Sequence, residues 1–215
     1  MALIENLIQE GWLKTERIIE AFQKIKRADF LPKEIKDLAE INEALPIGKD
    51  QTISQPLVVA FMLELLCGGP DADGRGPDSC VGKKILDVGF GSGWTSSLLA
   101  EIVGIKGKVI AIEIVPDIAQ FGKSNISKYN FIEKGIVQCF FSDGSKGYEK
   151  EAPFDKILAS ASADYLPSSW KEQLKTGGRI VAPIGNSIWV FDKIEENKFK
   201  EREYPGFVFV PLIKK

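Results

Sequence analysis

At 215 residues and 44% apolar content, the chain can bury one sizeable core without help from disulfides or metals. Its 28 basic and 30 acidic residues nearly balance, so it lacks the basic excess of a nucleic-acid binder. No apolar run approaches the ~20 residues of a membrane span, which excludes a spanning helix.

The first 45 residues read as a helical lead-in. Ile18, Ile19, Phe22 and Ile25 recur at helical spacing, with Thr15 as a candidate cap. Glu5, Glu10, Lys14 and Glu16 interrupt the apolar pattern, unlike a signal peptide, and the expectation is a cytoplasmic protein. Residues 46–56 read as a loop carrying an unusual polar cluster, Gln51, Thr52, Ser54 and Gln55. Pro56 suits a first helical position, and Leu57 to Leu66 is an almost wholly apolar helix. From 67 to 82 the chain is rich in Gly, Pro and Asp and is expected to be an exposed loop. Cys67, Cys80 and Cys139 lie far apart with no Cys-x-x-Cys spacing, which fits a reducing compartment better than a disulfide framework or a zinc site. No metal site is expected.

Strand and helix then alternate. Strands are expected at 84–88, 108–113, 135–140, 154–160 and 178–184, with helices at about 94–103, 116–128 and 167–175. Gly177-Gly178 marks the turn out of the last helix. Three strand-like runs near 187–193, 197–202 and 207–212 suit antiparallel additions at a sheet edge, with Gly185-Asn186 as a hairpin turn. The Lys193–Lys200 region reads as a solvated hairpin. The fold class is therefore α/β, a doubly wound and mostly parallel sheet with a helical lead-in and antiparallel edge strands. No repeat or second domain is visible, so residues 1–215 read as a single domain, and a monomer is the default.

In such a sheet, ligands bind beyond the carboxyl ends of the strands. The run from Lys84 to Trp94 is a buried strand feeding a glycine-dense turn, with Gly89, Gly91 and Gly93 at alternate positions. Glycines let a backbone approach a ligand that a Cβ would exclude, and the next helix offers unpaired N–H groups. Glu113, ending the next strand, is placed to accept hydrogen bonds from ribose hydroxyls. A dinucleotide site wants Gly-x-Gly-x-x-Gly, but position 94 here is Trp, and there is no P-loop. Asp143-Gly144 follows another apolar strand; its acid is either an acceptor for the exocyclic amine of adenine or the start of an Asx turn. Ser54 likewise has a bland reading, as a cap of the 56–66 helix.

The run Asp87-Val88-Gly89-Phe90-Gly91-Ser92-Gly93 resembles the first motif of class I, Rossmann-like methyltransferases. That resemblance implies S-adenosylmethionine as cofactor, with Glu113 on the ribose and the Gly89–Gly93 turn around the methionine moiety. More of the chain agrees with one family. Pro46-Ile47-Gly48, Gln51-Thr52-Ile53-Ser54 and Pro56 resemble the signature of protein-L-isoaspartate O-methyltransferases. So do Arg27-Ala28-Asp29-Phe30-Leu31-Pro32, Asp143-Gly144-Ser145-Lys146-Gly147-Tyr148 and Phe209-Val210-Pro211-Leu212.

The family resemblance implies methyl transfer from S-adenosylmethionine to the carboxylate of L-isoaspartyl residues in damaged proteins. Ser54 would be the active-site hydroxyl, residues 1–56 the lead-in and substrate loop, and Thr52 and Ile53 part of a pocket shared by cofactor and substrate. Departures fall mainly on the substrate side. Lys49 and Asp50 stand where an aromatic and a glycine are common, Leu57 replaces a histidine, and Ser142 a glycine. An acid at position 50 beside a carboxylate acceptor would repel it unless Lys49 or a backbone amide compensates. Alternative readings are a same-fold methyltransferase with a diverged carboxylate acceptor, and a non-catalytic S-adenosylmethionine-binding protein.

Overall fold

A computed structural model describes residues 3–68 and 80–214. Two helices, α1 (Leu3–Gln9) and α2 (Glu16–Lys24), are followed by 3₁₀ turns at Arg27–Phe30 and Lys33–Leu38. A small antiparallel hairpin, β1 (Leu45–Gly48) and β2 (Gln51–Ile53), then leads into α3 (Pro56–Cys67). The main body comprises β3 (Lys84–Val88), α4 (Trp94–Val103), β4 (Lys108–Glu113), α5 (Pro116–Ser127), β5 (Val137–Phe141) and β6 (Phe154–Ala159). It closes with α6 (Ser168–Gln173), β7 (Leu174–Ile184), β8 (Ser187–Glu195) and β9 (Lys198–Pro205).

The seven-stranded sheet runs β5-β4-β3-β6-β7-β8-β9. Its first five strands are parallel, and β8 and β9 add antiparallel at one edge. Strand order reverses at β3, which has β4 on one side and β6 on the other, so the crevice for a ligand opens at the carboxyl end of β3. Strand β3 reads as a continuous apolar run around Asp87 because it is central and covered on both faces.

Helix α3 is apolar nearly all round because it is buried, and its carboxyl-terminal turn is held by charged side chains. Glu64 accepts hydrogen bonds from the Lys14 and Thr15 backbone N–H groups (2.8 Å each) and from the Thr15 hydroxyl (2.7 Å). Thr15 thus sits at the head of α2 without capping it; its hydroxyl is spent on Glu64. In the same last turn, Arg179 Nη1 donates to the Leu65 carbonyl (2.6 Å) and Lys156 Nζ to that of Leu66 (3.0 Å). These cations satisfy carbonyls that a helix end leaves orphaned. Arg179 is itself paired with Asp192 at 2.7 and 3.0 Å.

Several sequence expectations change. Cys67 and Cys80 form a disulfide, against the expectation of reduced cysteines; Cys139 is free. Their 13-residue separation says nothing of proximity, but the end of α3 meets the entry to β3, bringing the two Cα atoms to 5.2 Å. Closing a loop of that length is worth about 3 kcal/mol. Most of the expected 67–82 loop, residues 69–79, lies outside the described residues. Residues 46–56 are not a loop throughout, because most of them form the β1–β2 hairpin.

The helix expected at 167–175 stops at Gln173, and β7 starts at Leu174, so Gly177-Gly178 lies within the strand. There the register slips: Leu174 pairs with Phe154 and Arg179 with Lys156, and Gly177 takes φ +80° in the extra length. The run at 207–212 is no sheet strand. Gly206 at φ +97° and the stacking of Phe207 on Phe61 (5.6 Å) turn the chain off the edge and back over the strand ends. Lys193 is not solvated either. It is buried, and its Nζ donates to the Lys171 (2.6 Å) and Leu174 (2.9 Å) carbonyls around the end of α6.

Candidate active site

The carboxyl end of β3 feeds directly into the turn Gly89–Gly93, whose three glycines all have positive φ (77°, 52° and 86°). Gly93 opens α4, and a Cβ there would lie 2.7 Å from both the Gly122 carbonyl oxygen and Ile126 Cγ1 of α5. The relation is mutual, since a Cβ on Gly122 would fall 2.2 Å from the Gly91 carbonyl oxygen. Turn and helix therefore touch with no side chain between them. Asn125 adds a bond from its Nδ2 to the Ser92 carbonyl (3.0 Å). Gly122 and Asn125 were missed in the sequence. A glycine inside a helix costs about 1 kcal/mol against alanine, which was the available signal of close approach.

Glu113 ends β4 and lines the cavity. Its Oε1 accepts from the Ile114 (2.7 Å) and Val115 (3.0 Å) N–H groups, and its Oε2 from Gly91 N–H (3.1 Å). The carboxylate is thus fixed between its own strand end and the glycine turn before any ligand arrives. Asp87 lies beneath the same turn, fully buried, and accepts from the Ser96 hydroxyl at 2.5 Å. Its other oxygen, Oδ1, has no partner among the described residues. Burial pushes the Asp87 carboxyl up to about 7; the Ser96 bond opposes this and the Glu113 charge adds to it.

Asp143 makes the Asx-type arrangement. Its Oδ1 accepts from the Ser145 N–H (2.9 Å) and hydroxyl (2.7 Å), and Lys146 lies 3.5 Å from Oδ2. Its neighbours Ser142 and Gly144 line the cavity. Trp170, from α6, donates its indole N–H to the Gly144 carbonyl at 2.8 Å, which fixes this corner. Trp94 faces away from the cofactor turn. It packs edge-on against Phe22 and donates to the Ile25 carbonyl at 3.4 Å.

One cavity of about 350 Å³ joins these parts to the amino-terminal segment. Its second wall is strand β2 with the residues leading into α3, including Thr52, Ile53 and Ser54. A third side, unforeseen in the sequence as a lining, is the returning tail from Val208 to Ile213. The tail is tied down by Ser162 N–H to the Val210 carbonyl (2.8 Å) and Leu212 N–H to the Ser162 carbonyl (2.7 Å).

Ser54 does not cap α3. The cap position is Gln55, without a side-chain cap bond, and the Leu57 N–H is taken by Asn42 Oδ1 at 3.0 Å. Among the described residues the Ser54 hydroxyl has no hydrogen-bond partner, while its carbonyl accepts from Arg27 Nη2 at 3.3 Å. Lys49 and Asp50 form the exposed tip of the β1–β2 hairpin, outside the cavity wall, with φ of 53° and 57° as a tight two-residue turn requires. Lys49 pairs with Asp117 of α5 at 2.8 Å, so it does not compensate Asp50.

A mostly parallel seven-stranded sheet, with a glycine turn after its central strand and an acid closing the neighbouring one, defines a class I methyltransferase. The family model for protein-L-isoaspartate (D-aspartate) O-methyltransferase matches residues 1–215. The chain belongs to that family. It is 39% identical over 215 residues to the protein-L-isoaspartate O-methyltransferase of Methanopyrus kandleri, covering 98% of this chain and 89% of that one. It is 40% identical over 213 residues to protein-L-isoaspartate O-methyltransferase 2 of Archaeoglobus fulgidus, covering 98% and 90%. Among solved structures, a Plasmodium falciparum protein described as a protein-L-isoaspartate O-methyltransferase, in complex with S-adenosyl-L-homocysteine, superposes with a TM-score of 0.86. It covers 99% of this chain and 97% of its own at 22% identity, a likeness of fold.

Proposed function

We infer that this single domain transfers a methyl group from S-adenosylmethionine to the carboxylate of L-isoaspartyl residues in damaged proteins, and that Ser54 orients that carboxylate. One observation carries the assignment of Ser54: an unpartnered hydroxyl stands in the wall of the cavity that also contains the glycine turn and Glu113.

The residues present fit the cofactor. Three glycines at positive φ leave a bare backbone cradle, and Glu113 offers a fixed carboxylate to the ribose hydroxyls. Asp87 lies below the turn, where a cationic ligand would favour its ionised form, and Ser142 and Gly144 line the cavity where the adenine would sit, with Asp143 as the brace behind them. Thr52 and Ile53 line the same cavity and would contact both cofactor and acceptor. When bound, S-adenosylmethionine supplies a methyl carbon on a cationic sulfur, a good electrophile with a neutral thioether as leaving group.

The acceptor needs no deprotonation. A side-chain carboxyl with a reference pKa near ~4 is already ionised at neutral pH, and the chain contains no histidine to act as a base. What remains is to strip water from the carboxylate and aim one oxygen, a positioning task worth several orders of magnitude in rate. The Ser54 O–H donates to one carboxylate oxygen and leaves the other to attack. Ile53 and the tail residues Phe209, Val210 and Leu212 give this side of the cavity an apolar lining. A cytoplasmic location belongs to the same proposal, because S-adenosylmethionine is an intracellular methyl donor. A monomer is supported by the charged outer strand β9, with Lys198, Lys200, Glu201, Arg202 and Glu203 discouraging edge pairing.

The test uses two peptides identical except for an aspartyl or isoaspartyl linkage, with labelled S-adenosylmethionine. Base-labile label is expected on the isoaspartyl peptide alone. Ser54→Ala is expected to lower kcat/KM for that peptide by roughly 10- to 100-fold, with cofactor Kd unchanged. Label on neither peptide, with cofactor bound, would transfer the activity to a diverged acceptor.

A further inference from the structure

Arg27 is the least expected charged group near the acceptor wall. Only 6% of it is exposed, yet among the described residues it pairs with no carboxylate through a hydrogen bond. Its guanidinium instead collects backbone carbonyls from two stretches of chain. Nη1 donates to Ala39 (3.1 Å) and Ile41 (2.9 Å), and Nη2 to Glu43 (2.7 Å) and Ser54 (3.3 Å). Its Cζ lies over the Trp94 ring, 5.5 Å from the centroid, a cation–π contact that helps hold the fork in place.

The base from which Arg27 reaches is fixed. The Tyr129 hydroxyl donates to Asp29 Oδ2 (2.7 Å) and accepts from Lys26 N–H (2.9 Å), and Phe30 stacks on the Tyr129 ring. These bonds pin the Arg27–Phe30 turn to the end of α5, the helix that packs on the glycine turn. The 39–43 segment gripped by Arg27 also holds the chain just past Ser54. Asn42 Oδ1 accepts from Leu57 N–H (3.0 Å), and its carbonyl accepts from Gln55 Nε2 (2.8 Å). Ser54 itself has no side-chain anchor. Its place in the cavity depends on its backbone, and the charged contact to that backbone comes from Arg27.

We propose that Arg27 is a positioning residue for methyl transfer: its guanidinium locks the Ser54 backbone and the turn beside it, so that the Ser54 hydroxyl meets the acceptor carboxylate in the attacking geometry. Ionised hydrogen bonds to carbonyls are stronger than neutral ones, and the two Nη groups, held in one plane, span two segments that a lysine ammonium, a point charge, cannot hold together; Nε has no partner among the described residues. Burial lowers the Arg27 pKa to about 10 and Glu40 partly offsets this, so the charge persists at neutral pH. This role rests on Ser54 being the orienting hydroxyl.

A double-mutant cycle separates the two claims. Arg27→Lys, Ser54→Ala and the pair are compared by cofactor Kd and by kcat and KM for the isoaspartyl peptide. Arg27→Lys is expected to lower kcat/KM by about tenfold with cofactor Kd within about twofold, and to cost less than about twofold once Ser54 is alanine. An equal loss in both backgrounds, a parallel loss of cofactor affinity, or no loss at all would overturn the role of Arg27. Full activity of Ser54→Ala would instead overturn the reading of Ser54, whatever Arg27 does. Should Arg27→Lys fail to fold, Asn42→Ala removes the acceptor for Leu57 N–H from the same turn and leaves Arg27 in place. It is expected to lower peptide kcat/KM by about threefold only when Ser54 is present, and additivity there would overturn the proposal.

Discussion

The two facing walls of the cavity are built in opposite ways. On the cofactor wall, position is fixed by backbone: three glycines at positive φ, peptide N–H groups from Gly91, Ile114 and Val115 around Glu113, and a helix that touches the turn through Gly122. On the acceptor wall, position is fixed by side chains reaching across the sequence, with Arg27 on the Ser54 carbonyl and Asn42 on Leu57. The first wall should therefore break when atoms are added and the second when they are removed. The cofactor wall should also fail as a folding defect, because its contacts are core contacts. The acceptor wall should fail as a kinetic defect in a protein that remains folded.

The largest effect tests the first half of that contrast. Gly93→Val forces a β-branched residue into φ +86° and pushes its Cβ into the Gly122 carbonyl and Ile126. Backbone strain and overpacking together should cost about 3–5 kcal/mol. That is a fall in Tm of roughly 6–20 °C for a chain of this size. Ser54→Ala, by contrast, should leave Tm nearly unchanged. Calorimetry on the two variants decides it: a Gly93→Val protein as stable as the parent would mean that the turn yields, and that backbone rigidity is not what shapes the cofactor wall.

The same contrast explains what the sequence discloses. The glycine turn and Glu113 lie within 25 residues of each other, and their pattern is one of residue type and spacing, so strand, turn, helix and acid can be read together. The acceptor wall depends on meetings that no local pattern records. Nothing near Arg27 announces that its fork closes on the Ser54 carbonyl 27 residues later. Nothing in 207–212 separates a strand of the sheet from a tail folded over its end, because both are extended and apolar; Gly206 decides it. The Cys67–Cys80 bridge is hidden likewise, since it reports that α3 ends beside the entry to β3. Gly177-Gly178 misled for a different reason. Glycine pairs mark turns and strand irregularities equally, and only the partner strand distinguishes them.

A smaller effect probes charge on the cofactor wall. With its folded value near 7 and an unfolded value near ~4, Asp87 binds its proton more tightly in the folded protein. Its contribution to stability is therefore fully present below about pH 4 and is lost as pH rises through about 7. The difference in Tm between the cofactor-free parent and Asp87→Asn should follow that curve. A cationic ligand above the turn favours the ionised carboxylate, so binding below pH 7 should expel a proton and cofactor affinity should strengthen as pH rises from about 6 to 8. Calorimetric titration in buffers of different ionisation enthalpy reads the proton directly. Equal proton release by parent and Asp87→Asn would show that the buried acid takes no part in holding the cofactor.

The smallest effect lies where the two walls are joined. The β1–β2 hairpin carries Ile47 over Gly91, and its tip is tied to α5 by Lys49–Asp117, two residues that are both largely exposed. The bond to Asp117 raises the Lys49 pKa, so the lysine stays charged across the working range. Exposed pairs of this kind contribute little and are screened by salt. Lys49→Ala should therefore quicken cofactor release by only about two- to threefold at low ionic strength, and not at all in roughly 0.5 M salt. The exchange Lys49→Asp with Asp117→Lys should restore the slower rate. Stopped-flow displacement measures this. If the rate is insensitive to both charge and salt, the hairpin is held by Ile47 on the glycine turn alone, and the acceptor wall is seated on the cofactor wall by packing.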